Sequence, residues 1–265
     1  MFREPLYEPH ALREVLTTVR GKRSWISFLA ASLVLFTMMV GSSTSAKAAS
    51  SASVIPLSSK PFGASYGTWS ARWWQYVYQF PIHNPPYTGP IYNPLFDETG
   101  SQCSLGQSGK VWYLVGVFNV SGTVSRSCTV PSNVALFFPI VNDEFDNLCV
   151  DPPLTVDELR QEAAQVIDTS AELHATLDGA PLSDHLFGFR VKSPVFSYTL
   201  PPEDNIAQFL GCDVSGTVYP VVGDGFYLML TPLSAGQHTI NFGGTLGPPF
   251  NFSLDINYNL TVTED

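Results

Sequence analysis

The chain has 265 residues and a formal net charge of −10, from 13 basic and 23 acidic side chains. Residues 49–265 alone keep 7 of those basic and 20 of those acidic side chains, a net charge of −13. A surface this acidic repels phosphate backbones and anionic lipid headgroups, which argues against nucleic-acid and membrane-surface partners.

Residues 1–48 have the pattern of a cleaved secretory signal peptide. Basic residues within 20–23 precede an uncharged, mostly apolar run over 26–40, and small residues then lead to Ala46-Lys47-Ala48. This is the order of basic, apolar and A-x-A segments that export requires. As a helix the apolar run would be roughly 22 Å long, short of the roughly 30 Å hydrocarbon core, so cleavage is favoured over an uncleaved membrane anchor. We predict a secreted or periplasmic protein, with no membrane attachment after cleavage.

Two further boundaries follow from composition. Residues 49–60 are rich in Ser and Ala, which predicts a flexible tether. Residues 61–265 contain no internal repeat and no second low-complexity segment, so one domain is the simplest organisation.

The four cysteines predict two disulfide bonds. All of them lie after residue 48, and an even number in an exported chain favours a disulfide framework. Of the three connectivities we favour Cys103–Cys128 with Cys149–Cys212, because the first pair would close a loop around the strand candidate 111–118. Zinc is the alternative, but no C-x-x-C or Cys/His spacing supports it.

The stretch before Pro81 predicts an amphipathic helix with an aromatic face. Thr68 is its candidate N-cap, and its aromatic residues recur at the 4-3-4 spacing of one face: Trp69, Trp73, Tyr76 and Phe80. This face is expected to pack on the domain core. Trp74 lies off it, which predicts an exposed indole ring.

An exposed tryptophan suggests a glycan-binding surface, since aromatic rings stack on the apolar face of a pyranose. Trp74 and Arg72 on this helix, with Tyr87 and Tyr92 in the Pro-rich loop over 82–109, are the candidate ligand-binding residues.

The densest acidic cluster lies at 142–147. Asp143, Glu144 and Asp146 could bind Ca²⁺, which prefers clustered oxygen ligands, although no EF-hand spacing is present. Alternatively, Glu144 and Asp146 could act as the carboxylate pair of a polysaccharide hydrolase or lyase. An ordinary solvated acidic loop is the third interpretation.

The remaining chain alternates strands with one inserted helix. Thr155 and Glu158 form a capping box, which predicts a helix to about Asp168. The alternation over 224–244, interrupted at 232–236, predicts an antiparallel β-hairpin. Period-2 or continuous apolar segments predict nine strands, at 111–120, 127–130, 135–141, 173–177, 186–192, 195–200, 226–230, 238–242 and 251–263.

These elements predict an all-β fold: a single antiparallel β-sandwich, Ig-like or jelly-roll, with an N-terminal aromatic helix and one inserted helix. No G-x-S-x-G, H-E-x-x-H, P-loop or G-x-G-x-x-G motif is present, and His238 lies on an apolar strand face typical of a core histidine. The sequence therefore favours a non-catalytic binding or envelope-associated protein that needs no cofactor other than, at most, calcium. A glycan or another envelope component is the expected partner.

Three segments resemble a group of exported bacterial proteins of uncharacterised function. They are WSARWWQY at 69–76, QSGKVWYLVG at 107–116 and DGFYLMLTPLSAGQHTINFGG at 224–244. The resemblance covers most of 62–263. It implies export and a predominantly β domain, and it brings no activity and no catalytic residues.

Overall fold

The computed structural model describes residues 52–118 and 120–264. The predicted signal peptide lies outside the described residues. Among the residues described, no helix combines the length and apolar character needed to cross a membrane.

The described residues form ten strands and three α-helices, so the mostly-β prediction is confirmed. The helices are α1 (Tyr66–Tyr78), α2 (Val156–Asp168) and α3 (Ile206–Phe209). The strands are β1 (Val111–Tyr113), β2 (Gly122–Pro131), β3 (Ala135–Phe145), β4 (Ser170–Leu177), β5 (Ala180–Pro181), β6 (Arg190–Lys192), β7 (Phe196–Leu200), β8 (Gly216–Leu230), β9 (Gly236–Leu246) and β10 (Phe252–Thr263).

The strands form two five-stranded sheets. The inner sheet has the order β1-β3-β8-β6, with β7 also paired to β8, and the outer sheet has the order β2-β10-β9-β4-β5. Strand β1 runs parallel to β3, and β2 runs parallel to β10. The prediction of a wholly antiparallel sandwich is therefore wrong at these two pairs. Long crossovers connect both pairs, and such connections permit the parallel direction that a short hairpin does not.

Two apolar layers lie on opposite faces of the inner sheet. Between the sheets, Phe138 and Leu228 pack against Phe242 and Ile256. On the other face, Phe137 and Tyr227 belong to the layer that includes α1. Because successive strand residues point to opposite faces, β8 is buried at every position from Val221 to Leu230.

The predicted hairpin over 224–244 is not formed. Strands β8 and β9 lie in different sheets, so the connection around Pro232 crosses from one layer to the other. Two strands that face each other across a core show the same alternation as two paired strands. The pattern alone therefore does not decide between a hairpin and a crossing connection.

The helices predicted at α1 and α2 are both present, and α1 begins earlier than predicted. The capping box of α2 is present, with Glu158 N donating to Thr155 Oγ1 at 3.3 Å and Thr155 N donating to Glu158 Oε2 at 2.8 Å. Helix α1 begins three residues earlier than predicted, because Ser65 Oγ accepts from Thr68 N at 3.2 Å and Ser65 is the N-cap.

Both favoured disulfides are confirmed. Cys103 joins Cys128 with their Cα atoms 5.8 Å apart, and Cys149 joins Cys212 at 5.9 Å. Two disulfides indicate an oxidising, extracytoplasmic environment.

The described part of the predicted tether is held against the inner sheet. Ile55 N donates to Met229 O at 2.8 Å, and Thr231 N donates to Ser53 O at 2.9 Å. The Tyr66 hydroxyl also donates to Ile55 O at 2.5 Å. Strand-like pairing at the end of β8 corrects the prediction of a free tether for these residues.

Candidate functional site

The predicted exposure of Trp74 is wrong. Its side chain is 5% exposed, and its ring lies 4.9 Å from that of Trp73 and 5.2 Å from that of Tyr78. Gly223 on β8 makes room for it, since a Cβ there would lie 3.1 Å from the Trp74 Nε1. The side of α1 that was predicted to face solvent at Trp74 thus packs on β8. Trp74 therefore offers no stacking surface for a sugar ring.

The other predicted glycan contacts do not form one surface with Trp74. The Arg72 guanidinium lies 4.5 Å from the centre of the Trp69 ring, in a cation–π contact. Two residues apart on a helix, Arg72 and Trp74 do not face the same way. Tyr87 and Tyr92 are half-buried in the loop after the helix, where Tyr92 packs edge-on against Phe80 at 6.2 Å.

Residues 143–146 form the partly buried end of β3 and the residue after it, where acids lie beside tyrosines, rather than a solvated loop. A β-bulge between Pro139 and Val141 resets the alternation of β3. Glu144 then faces α1, where the Tyr78 hydroxyl donates to its Oε1 at 3.0 Å, and the Tyr198 hydroxyl donates to Asp146. The Glu144 Oε2 is buried and has no hydrogen-bond partner among the described residues.

Burial sets the ionisation of these two carboxyls. Burial, and next the charges of Asp146 and Asp143, raise the pKa of Glu144 well above its usual value. Burial also raises the pKa of Asp146, against the opposing hydrogen bonds from Tyr198 and Leu148 N. A carboxyl whose pKa is raised keeps its proton to a higher pH, as a proton donor requires.

Asp143 belongs to a different environment from its neighbours. In the β3–β8 ladder it lies opposite Asp224, and burial raises the pKa of Asp143 to about 7. Asp224 is itself buried, but Arg190 compensates its charge through two hydrogen bonds, Nε to Oδ1 at 2.9 Å and Nη2 to Oδ2 at 2.8 Å.

The calcium prediction for Asp143, Glu144 and Asp146 is not supported. Within the described ranges, no group of three His, Cys, Asp or Glu side chains is arranged to hold a metal ion. Adjacent strand residues point to opposite faces, so Asp143 does not converge with Glu144. We call Glu144 and Asp146, with Tyr78 and Tyr198, the acid–tyrosine cluster.

A Ser–His–Asp arrangement occurs at the β8–β9 connection. His238 Nε2 lies 3.4 Å from Ser234 Oγ, and its Nδ1 lies 2.8 Å from Asp178 Oδ2. However, Nε2 also lies 3.0 Å from the Ser234 carbonyl oxygen. A carbonyl oxygen only accepts, so the Ser234 carbonyl competes with Ser234 Oγ for His238 Nε2. These contacts anchor the connection, and His238 is the buried histidine that the sequence predicts.

The outer face of the outer sheet carries a depression of about 520 Å³, which we call the polar groove. It is lined by Gly122, Thr123, Glu172, His174, Asn241, Gly244, Thr245, Ser253, Leu254, Asp255 and Asn257. Its residues come from β2, β4, β9 and β10, and almost all are polar or glycine.

Strand register aligns four positions across this groove. His174 lies beside Gly243, Gly243 beside Asp255, and Asp255 beside Thr123. Gly243 has no side chain, so the imidazole of His174 reaches over it, with its Nε2 3.3 Å from Asp255 Oδ1. A Cβ at Gly243 would lie 1.9 Å from Leu254 O, so the close approach of β9 and β10 requires glycine.

Asp255 is the fixed charge of the groove. Its Oδ1 accepts from Asn241 Nδ2 at 2.5 Å as well as from His174, and its Oδ2 accepts from Thr123 Oγ1 at 2.8 Å. Partial burial acts to raise the pKa of Asp255, but the three hydrogen bonds outweigh it and hold that pKa below its usual value. With two lone pairs on each oxygen, Oδ2 can accept one further donor.

Asn257 lies one pleat further along the same face of β10. Its Oδ1 accepts from Asn241 Nδ2 at 3.0 Å, which fixes the orientation of the amide. No hydrogen bond from Asn257 Nδ2 occurs within the described residues, so two donors remain beside Asp255.

Sequence reasoning missed this groove. Its residues come from four separate strands, and the only local signal was the polar alternation of Ser253, Asp255 and Asn257 on the outward side of β10. The chain matches no protein-family model, no curated protein and no solved structure.

Proposed function

We propose that the chain is an exported, non-catalytic protein that binds a glycan, free or as part of the cell envelope, in the polar groove. The observation that carries the proposal is the acceptor at Asp255 Oδ2 beside the amide donors of Asn257, both held in place by Asn241 in a depression of about 520 Å³. Sugar hydroxyls both donate and accept hydrogen bonds, so a surface with oriented donors and acceptors suits them.

The proposed glycan site lies at different residues from those predicted from the sequence. It does not use Trp74, Arg72, Tyr87 or Tyr92. No Phe, Tyr or Trp is among the described residues that line the groove, so recognition relies on hydrogen bonds and affinity should be modest.

Asn257→Ala and Asn259→Ala form a matched test. Both residues lie on the outward side of β10, two positions apart, and only Asn257 lines the groove. On a glycan array followed by calorimetry, Asn257→Ala should weaken binding about tenfold, the loss of one or two hydrogen bonds. Asn259→Ala should bind like the wild type. Equal loss in both variants, or no glycan bound by the wild type, would overturn the proposal.

Export is part of the same proposal, as a secreted or periplasmic protein released by signal cleavage. Terminal sequencing of the mature protein should find that it starts directly after Ala48. A mature chain that keeps residues 26–40 would contradict this expectation.

A secreted polysaccharide hydrolase or lyase is the second candidate. It is favoured by Glu144, whose Oε2 is buried without a hydrogen-bond partner in the described part of the chain and whose pKa is raised mainly by burial. A general acid needs a carboxyl that stays protonated near neutral pH. Asp146, held by Tyr198, would be the second carboxylate.

Glu144→Gln tests the enzyme candidate. The variant keeps the side-chain shape and an acceptor for Tyr78 while removing the proton donor. Release of reducing ends from a panel of polysaccharides should fall at least a hundredfold relative to the wild type. A wild type that releases none from any polysaccharide would leave the binding proposal as the only candidate.

A further inference from the structure

The charges that line the polar groove narrow the class of glycan that the groove can bind. Glu172 and Asp255 carry formal negative charges, His174 is the one other titratable residue of the lining, and the lining contains neither Lys nor Arg. Even with His174 protonated, the groove carries one net negative charge. An anionic polysaccharide would meet uncompensated carboxylates there.

Glu172 is brought to the groove by an irregularity of β4. The register between β4 and β9 shifts between Ala171 and His174, and Glu172 has φ = 53°, in the left-handed region. Bulges of this kind redirect one side chain out of the regular alternation. The exposed Glu172 lines the groove together with His174 of the same strand, and Asp255 lines it from β10.

Asp255 provides the acceptor for a charged donor. Three of its lone-pair positions are used by Asn241, His174 and Thr123, and Oδ2 retains one. A hydrogen bond between an ammonium group and a carboxylate is roughly twice as strong as one between neutral partners. A protonated amine would use this remaining position better than a hydroxyl does.

The field of the whole protein acts in the same direction. Residues 49–265 carry a net charge of −13. Cationic ligands are drawn toward such a surface, and acidic glycans are repelled from it.

We propose, resting on the function proposed above, that the ligand of the polar groove is an amino sugar with a free amine, whose ammonium group binds Asp255 Oδ2 while the negative charge of Glu172 in the same lining adds to the attraction. The hydroxyl groups of the same sugar then meet the amide of Asn257. The observation that sets this ligand apart from a neutral glycan is the pair of carboxylates without a Lys or Arg partner in the lining.

Two oligosaccharides with the same backbone distinguish the amino-sugar inference from glycan binding in general. The probes are a β-1,4-linked glucosamine hexamer and its fully N-acetylated form, titrated calorimetrically into the mature protein in mildly acidic buffer, where the amine is protonated. The glucosamine hexamer should bind roughly five- to tenfold more tightly, as one or two partly exposed ion pairs allow, and added salt should reduce that ratio. Equal affinity for both hexamers would overturn the amino-sugar inference and leave glycan binding intact. Binding of neither would count against both, provided that no other glycan binds.

Two charge-removing variants show whether the groove is responsible. Glu172→Gln and Asp255→Asn should each reduce the preference for the glucosamine hexamer, whereas Glu203→Gln, an exposed acid outside the lining, should leave it unchanged. A preference that falls equally in all three variants would mean attraction to the acidic surface at large and would overturn the inference. Thermal midpoints of the three variants distinguish lost binding from lost folding.

Discussion

The acid–tyrosine cluster and the polar groove are built from the same residue type in opposite environments. Glu144 and Asp146 lie against α1, where burial raises their pKa values. Asp255 lies on the open face of the outer sheet, where the hydrogen bonds of Asn241, Thr123 and His174 outweigh partial burial and lower its pKa. The position within the layers therefore decides whether a carboxyl here stores a proton or presents a charge.

The strongest test of this contrast concerns Asp224, a buried carboxylate whose charge Arg190 compensates. Arg190→Met would leave that charge unpaired beside Asp143 and should lower the free energy of unfolding by about 3 kcal/mol. Chemical denaturation at neutral pH measures the change.

The double variant Arg190→Met with Asp224→Asn is the control. Removing the stranded charge should recover part of the lost stability. No recovery would mean that Arg190 stabilises through its contacts with Asp168 and the Ala164 carbonyl oxygen, or through packing of its side chain, rather than by compensating Asp224.

The next effect is a pH dependence at Asp143. Its pKa is raised from 3.8 to about 7. A carboxyl with a raised folded pKa favours folding fully at pH below its unfolded pKa, and that contribution is lost as the pH rises through about 7. The free energy of unfolding should therefore decrease from about pH 4 to pH 7, by on the order of 2–4 kcal/mol from this residue.

Asp143→Asn should flatten this part of the stability profile while keeping an acceptor for Glu144 N, which now donates to Asp143 Oδ1 at 2.9 Å. A profile of the variant that is as steep as that of the wild type would place the titration in Glu144 or Asp146 instead.

The smallest effect is expected at Asp255, and it has the opposite sign. Its folded pKa is lowered, so its contribution is present above the unfolded pKa and is lost as the pH falls through the folded value. Asp255→Asn should cost about 1 kcal/mol at neutral pH, the weakening of its hydrogen bonds. Urea denaturation at neutral and acidic pH should show this difference shrinking in acid. A difference that grows in acid would contradict the assigned direction.

Short-range sequence signals led to correct predictions. Thr155 and Glu158 define the start of α2 because a capping box needs only four consecutive residues. The pairing of Cys103 with Cys128 followed from the strand between them. Pro139 cannot donate to a strand ladder, and a bulge occurs between it and Val141.

Predictions that depended on which other element a segment packs against were wrong. Phe226 and Phe242 alternate as in a hairpin, yet their strands belong to different sheets. Trp74 was expected in solvent because it lies off the predicted aromatic face of α1. Gly223 on β8 leaves space for its ring, so the ring is buried. The groove could not be predicted, since the row from His174 through Gly243 and Asp255 to Thr123 depends on three strand registers.

The order of strands in the outer sheet has a consequence for how the chain completes its fold. Strand β10 comes after every other strand in the chain, yet it lies between β2 and β9 and pairs with both along most of its length. During synthesis, β2 has no permanent neighbour in its sheet until residues 252–263 emerge. A nascent chain stopped before residue 252 should therefore expose both strand edges, bind holding chaperones and remain sensitive to protease, even with its first 250 residues available.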